Sequence, residues 1–339
     1  MDKLLVIDAG LQTTIQDLGR FNHQIDGFPT SGCMDQFACK IANLLVGNAV
    51  DAAVLEVCIT GGTFQFESET FIAFTGGDFA LTLNGKSINP NRAIMVQRSD
   101  ILKIGYANSG RYGYLAIAGG ILIPVVMDSR STTTRIGIGG LHGRSLQAGD
   151  CIPISSNNTL DEFAFRQSPL KSPVSVNNYI TIRFVKGPQW EQFEQADVKT
   201  FLGQSYQVSS AADRMGYRLI GKPIKTSAAN MLSEATVFGG IQISSDGKPI
   251  VLLADRQTTG GYPVIGVIIS VDIPKFVQSQ TNRLIKFDLV SFEDANDELL
   301  KQQTAINNLN HSWYLKRFKA PIGIKRSAAQ KISTLFEQE

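Results

Sequence analysis

Lys248-Pro249-Ile250-Val251-Leu252-Leu253-Ala254-Asp255-Arg256-Gln257-Thr258-Thr259-Gly260-Gly261-Tyr262-Pro263 is the stretch on which the reading of this chain turns. Ile250 to Ala254 is an unbroken apolar run of the length expected for a strand buried on both faces. Directly beyond it, Asp255 to Thr259 place an anion, a fixed cation, an amide and two hydroxyls. Gly260-Gly261 then admit backbone conformations closed to other residues and let a ligand approach the main chain, and Pro263 stiffens the exit. Polar groups beside a buried run are costly unless they find partners. Two readings fit: a hydrogen-bonded loop that closes a barrel, or a rigid strand that presents a polar constellation to a small ligand.

Outward from this stretch the pattern is mostly strands. Asp246-Gly247 forms a turn into it and Val264 to Val271 returns from it. Glu234 precedes the run Thr236 to Ile243, and Asp213-Arg214 is a charged pair ahead of Gly216. In the first half, strand-like segments occur at Leu4 to Ile7, Val54 to Ile59, Phe71 to Thr75, Phe79 to Leu83, Ile101 to Gly105 and Tyr112 to Ala118. Asn84-Gly85 is a strong hairpin signal. Glu56 sits inside an apolar run, so it either faces solvent or has a specific partner. Met34, Phe37, Ala38, Ile41 and Leu45 predict one helix, with Ser31 available as its cap. Asp272 is expected to cap a short helix through Phe276, and Ser291 with Asp294 to open a long one. Gly119-Gly120-Ile121 and Gly239-Gly240-Ile241 hint at two related units in tandem.

Polar residues between glycines also mark Gly10 to Arg20, where Thr14, Gln16, Asp17 and Arg20, together with Glu56, form a candidate first-barrel site. Ser129 to Arg144, rich in hydroxyls, arginine and glycine, fits either anion binding by backbone amides and arginines or a loop that crosses a barrel. Its glycine spacing does not match a dinucleotide fingerprint, and Gly85-Lys86-Ser87 lacks the upstream glycine and following helix of a phosphate loop.

At 339 residues, with 43% hydrophobic content, the chain has room for about two domains. A net charge of +2, from 32 basic and 30 acidic residues, gives no broad footprint for nucleic acid or an anionic membrane. No segment approaches the ~18 apolar residues of a membrane span and the N-terminal apolar run is too short for a signal peptide, so a cytoplasmic location is expected. Cys33, Cys39, Cys58 and Cys151 and the scattered His23, His142 and His311 lack metal-site spacing, so no metal is expected.

Gly10 to Arg20, Ser31-Gly32-Cys33-Met34-Asp35, Arg130-Ser131-Thr132, Asp213 to Leu219 and Asp255 to Pro263 together resemble the biotin-dependent carboxyltransferase family related to urea amidolyase (allophanate hydrolase subunit 2-like). That family includes the C subunit of the bacterial ATP-dependent 5-oxoprolinase and the Kip-type antagonist protein. The resemblance runs to about Phe292; Gly62, Cys33 and Ser244 depart from its usual residues, and none of these is a charged motif position. It implies a mainly β fold of two cyclophilin-like β-barrels in tandem, residues 1–160 and 176–292, followed by a C-terminal helix and basic tail at 293–339. It further implies a non-autonomous component that works with a B-subunit-like (allophanate hydrolase subunit 1-like) protein, and with an A-subunit-like protein, on a small amide. No biotin attachment motif or phosphate loop is present, so ATP or carboxybiotin would come from partner subunits and this chain alone would bind no cofactor.

The expected activity is the opening of 5-oxoproline to L-glutamate. Carboxyl transfer to a urea-like amide and a regulatory role, binding an inhibitor of a sensor kinase, are the alternatives. Asp255, Arg256 and Gln257 are the expected catalytic residues. Thr258, Thr259, Gly260, Gly261, Tyr262, Arg214 and Glu234 are expected around the substrate. An amide substrate needs its carbonyl held and the charge developing on oxygen stabilised, work suited to Arg256, Gln257 and the glycine backbone, with Asp255 as base or orienter.

Overall fold

The computed structural model describes residues 2–155, 161–175, 177, 179–225 and 231–316. Arg317, Lys319, Lys325 and Arg326 of the basic tail, and residues 156–160 of the connection between the halves, lie outside that set.

The first half is a nine-stranded sheet curled into a half-barrel. Its strands are β1 (Asp2–Asp8), β2 (Thr13–Gln16), β3 (Val54–Cys58), β4 (Thr63–Phe66), β5 (Thr70–Leu83), β6 (Lys86–Ser87), β7 (Ala93–Val96), β8 (Ile101–Ile117) and β9 (Cys151–Ile154). The paired runs expected at 71–75 and 79–83, and at 101–105 and 112–118, are each one long strand, β5 and β8. Their antiparallel register slips next to Gly76, whose φ of +101° lets the strand bend where a side chain would meet the Tyr112 carbonyl. Such bulges are how a sheet curls without breaking. Asn84-Gly85 makes the expected tight turn into β6, both residues at positive φ.

The strands of the second half are β10 (Tyr179–Lys186), β11 (Tyr206–Ala212), β12 (Gly216–Ile220), β13 (Glu234–Ala235), β14 (Gly240–Ile243), β15 (Pro249–Leu252), β16 (Thr259–Gly260), β17 (Val264–Ile268) and β18 (Leu284–Leu289). Seven of them close into a barrel in the order β10, β17, β14, β15, β12, β11, β18, while β13 and β16 form a separate ribbon. The pairing of β10 with β18 is parallel and completes the ring. The expected mainly β architecture of two sheet units in tandem is therefore present. The two Gly-Gly-Ile segments make the same local turn: Gly119 and Gly239 sit at φ +80° and +84°, and the Gly120 and Gly240 amides donate to the carbonyls of Ile117 and Val237 at 2.9 and 3.1 Å.

Among the described residues four α-helices decorate the sheets: α1 (Gln36–Leu45), α2 (Gln195–Gly203), α3 (Ile273–Val277) and α4 (Phe292–Lys316). The cap of α1 is Asp35, which accepts from the Ala38 amide at 2.9 Å, and not Ser31. Asp272 takes the expected N-cap position of α3, its carbonyl accepting from the Phe276 amide at 2.9 Å, but its carboxylate is bound to Arg183 at 2.7 Å and makes no capping bond. Ser291 and Asp294 make the expected reciprocal contacts at the start of α4.

Strand alternation sorts the core. Ile72, Phe74, Leu115 and Ile117 fill the concave side of the first sheet. Their neighbours Phe71, Ala73, Tyr112, Tyr114 and Ala116 face the other way and join α1 and the inside of the second barrel in one continuous core. At the heart of that barrel Phe287 stacks on Phe201 at 4.9 Å and meets the rings of Phe184 and Tyr206. Replacing Phe287 by Ala is expected to cost about 3–5 kcal/mol in urea unfolding, and a loss below about 1 kcal/mol would show that the ring cluster does not carry this core.

Candidate functional site

A buried polar seam joins the halves. Its centre is Arg214, in the turn between β11 and β12, with a side chain 7% exposed. Its Nε donates to Asp255 Oδ2 at 2.8 Å and its Nη2 donates to Asp255 Oδ1 at 3.1 Å and to the Gly32 carbonyl at 2.8 Å. Its Nη1 pairs with Glu56 of β3, which also accepts from the Met34 amide at 2.8 Å. Gly32 has φ +90°, and a side chain there would strike the Leu18 carbonyl, so glycine is what allows its backbone to reach the guanidinium.

Asp255 is held a third time by Ser31, whose hydroxyl donates to Oδ1 at 2.7 Å. Thr133 Oγ1 lies 2.7 Å from that hydroxyl and accepts from Arg20 Nη1 at 3.2 Å. Arg20 further donates to the carbonyls of Val126 and Ser131, while Asp17 accepts from the hydroxyls of Ser129 and Ser131 and the Arg130 amide. The excursion at 129–144 thus folds back onto Asp17 and Arg20. Thr14 and Gln16 complete this layer, with Gln16 Nε2 donating to Thr14 Oγ1 and to the Thr132 carbonyl at 3.0 Å each.

Burial lowers the Arg214 pKa, but Asp255 and Glu56 more than offset it and hold the group well above the ordinary arginine value. The two carboxylates share that one cation. Burial pushes Glu56 up, opposed by Arg214 and the Met34 amide, and the negative charge of Asp255 adds to the rise. The expected pairing of Asp213 with Arg214 is absent: Asp213 Oδ1 instead accepts from the amides of Met215 and Gly216 in its own turn.

Beside the seam lies a cleft of about 740 Å³. It occupies the outer face of the second barrel, because its floor is Gly216, Arg218, Ile250, Leu252 and Gln242, whereas the intervening Tyr217, Leu219, Val251, Ile241 and Ile243 point into the core. Gln257, Gly260, Gly261 and Tyr262 form one wall and Asp213 and Met215 another. The first half reaches this wall through Arg135, which lies 3.0 Å from Met215 Sδ. Gln24 also bridges, donating to the carbonyls of Thr236 and Thr258 at 2.8 Å each.

The polar run after β15 is therefore divided. Asp255 turns into the seam, Gln257 faces the cleft, and Arg256 is buried without lining it. Thr258 and Thr259 serve through their backbone, Thr258 as an acceptor and Thr259 opposite Ala235 in the ribbon. Glu234 is exposed in the same ribbon and accepts from Gln189 at 3.0 Å, outside the cleft lining. Sequence reasoning does not single out Ser31, Gly32 and Thr133 as seam residues, nor Arg218 and Gln242 as cleft residues. The signal for the last two is a polar residue at the outward position between inward apolar ones.

With this geometry in hand, the chain matches the carboxyltransferase domain, subdomains A and B, over residues 26–289. The chain belongs to this carboxyltransferase family. It is 36% identical to the 5-oxoprolinase C subunit of Escherichia coli over 92% of this chain and 98% of that protein. The corresponding protein of Haemophilus influenzae is 35% identical over 86% and 92%. Urea amidolyase of Lachancea kluyveri is 32% identical over 90% of this chain, which spans 18% of that much longer protein. The crystal structure of the Kluyveromyces lactis urea amidolyase superposes with a TM-score of 0.83 at 29% identity, covering 91% of this chain and 20% of that one.

Two outcomes test the seam. Arg214→Met strands two buried carboxylates and is expected to destabilise the fold by about 3–5 kcal/mol, with Glu56→Gln in the same chain recovering part of the loss. Urea unfolding of the single and double variants measures both, and independent additive losses would argue against the shared cation. Separately, the raised Glu56 pKa means that the fold binds this proton more tightly than the unfolded chain does. Its contribution to stability is complete below the ordinary value of 4.5 and is lost as pH rises through the folded value. Glu56→Gln removes that loss, so the stability difference between variant and wild type should shift in favour of the variant as pH rises from 4.5. A difference that stays constant with pH would contradict it.

Proposed function

We propose that this chain acts as the C subunit of an ATP-dependent 5-oxoprolinase, holding 5-oxoproline in the second-barrel cleft while partner subunits supply the ATP step. The observation that carries the reading is the cleft itself, with side-chain amides at Gln257 and Gln242 and a glycine backbone at Gly260-Gly261. A side-chain amide offers both a donor and an acceptor, which match the C=O and N–H of a lactam. Arg218 supplies a fixed cation for the ligand's carboxylate. Backbone amides at the glycines would stabilise charge as the carbonyl is attacked. Asp255, held by Arg214 and Ser31, works as an orienter of the loop that carries Gln257 and not as a free base. The similarity to nearly the full length of two bacterial 5-oxoprolinase C subunits supports this substrate over others.

The cleft is several-fold larger than 5-oxoproline needs, which leaves room for a group brought by a B-subunit-like partner. A second reading, carboxyl transfer to a urea-like amide from carboxybiotin on another polypeptide, draws support from the superposition on urea amidolyase.

Reconstitution separates these. The chain alone should be inactive, and the chain assembled with its partner subunits should hydrolyse ATP in response to 5-oxoproline. Gln257→Ala should lower kcat/KM about 10²-fold, the loss typical of one preorganised donor, and leave thermal unfolding unchanged because the side chain is exposed. Hydrolysis that answers to urea and bicarbonate but not to 5-oxoproline would favour the carboxyltransferase reading. Tight assembly with no turnover on either substrate would defeat both.

A further inference from the structure

Arg256 is the anomaly in this molecule. It is 8% exposed, yet among the described residues no acid lies within ion-pair distance of it. Its sequence neighbour Asp255 is engaged by Arg214. Nε has no hydrogen-bond partner, and Nη1 makes only a 3.4 Å contact with the Leu253 carbonyl. One contact to the ring of Phe238, with the guanidinium carbon 5.9 Å from the centroid, is the remaining support. Burial alone pulls its pKa down to about 10. Buried polar groups are almost always paired, and the Arg256 Nε is a buried donor left without a partner.

We infer that Arg256 is the receptor for a small carboxylate ligand, at a position that does not belong to the cleft lining. A guanidinium fork matches the two oxygens of a carboxylate in its own plane, and the Phe238 contact leaves in-plane donors free. A single charge fits a monoanion. The buried guanidiniums of the seam are already committed, Arg214 to Glu56 and Asp255 and Arg20 to Thr133, Ser131 and Val126. A cation that the fold keeps at a cost to its own stability, where an apolar side chain of similar length would pack, is the mark of a residue retained for binding. This anion site is separate from the cleft and does not rest on the 5-oxoprolinase reading.

Thermal unfolding of the full chain tests this without any turnover. Arg256→Met should melt above wild type by about 2 °C or more in the absence of ligand. Acetate, as the minimal carboxylate, should raise the wild-type Tm saturably and leave that of Arg256→Met unmoved. Arg256→Lys, which keeps the charge but loses the fork, should show a reduced response. Sulfate at matched ionic strength should not reproduce the carboxylate effect. An Arg256→Met protein that melts below wild type, or fails to fold, would make Arg256 structural and overturn the inference. Equal carboxylate shifts in wild type and variant, no shift in either, or an equal response to sulfate would overturn it as well. If acetate shifts the wild type through Arg256 but the assembled subunits do not turn over 5-oxoproline, the anion site stands and the 5-oxoprolinase reading fails.

Discussion

One guanidinium organises this molecule. Arg214 lies between a carboxylate from the first sheet and a carboxylate at the end of a second-barrel strand, with the Gly32 carbonyl as its third partner. Taking three charged groups out of water is expensive, and their mutual attraction repays it only when geometry and hydrogen bonding are complete. Here the remaining lone pairs are used by the Met34 amide and the Ser31 hydroxyl. A hydrophobic replacement could supply comparable stability, but it would not fix register between the halves as a set of directed bonds does.

The clamp explains why the polar run after β15 separates as it does. With both Asp255 oxygens engaged, the chain at that point has one rotational setting, and the next residues follow from it. Arg256 is carried into the interior and Gln257 onto the outer face, where the cleft lies. Residues adjacent in sequence thus take separate places: one holds the seam, one is buried over the Phe238 ring, one faces the cleft. The ribbon of β13 and β16 and the Gln24 bridge hold the far side of the same loop.

The halves are also joined by a second buried network. Gln278, just beyond α3, accepts from the amides of Arg111 and Tyr112 and donates to Asp35 at 2.9 Å, while Arg111 donates to the Ala212 carbonyl at 2.5 Å. Asp35 is the cap of α1, so a helix of the first half takes its start from a contact with the second. Burial pushes the Asp35 carboxyl up, against the hydrogen bonds that favour its charged form. Together with the continuous apolar core, these bonds make the two sheet units mutually dependent.

What the sequence determined by itself is local. Alternation and apolar runs set the strands, Asn84-Gly85 and Asp246-Gly247 set turns, and the abrupt polarity after Ala254 marks the site, because each of these depends on near neighbours along the chain. The same information misplaces Ser31 as a helix cap and Arg214 as a partner of Asp213, and gives the Asp272 carboxylate a capping role it does not have, since all three side chains have a plausible local use. Tertiary structure decided otherwise, bringing Arg214 to Glu56 across 158 positions and Ser31 to Asp255 across 224. It also decided that Asp255 binds both Arg214 and Ser31, and that Arg256 meets no acid among the described residues. Which charge finds which partner is settled by burial: once the halves close and water is excluded, the carboxylates and the guanidinium that meet in the seam must satisfy one another, and sequence distance plays no part in that condition.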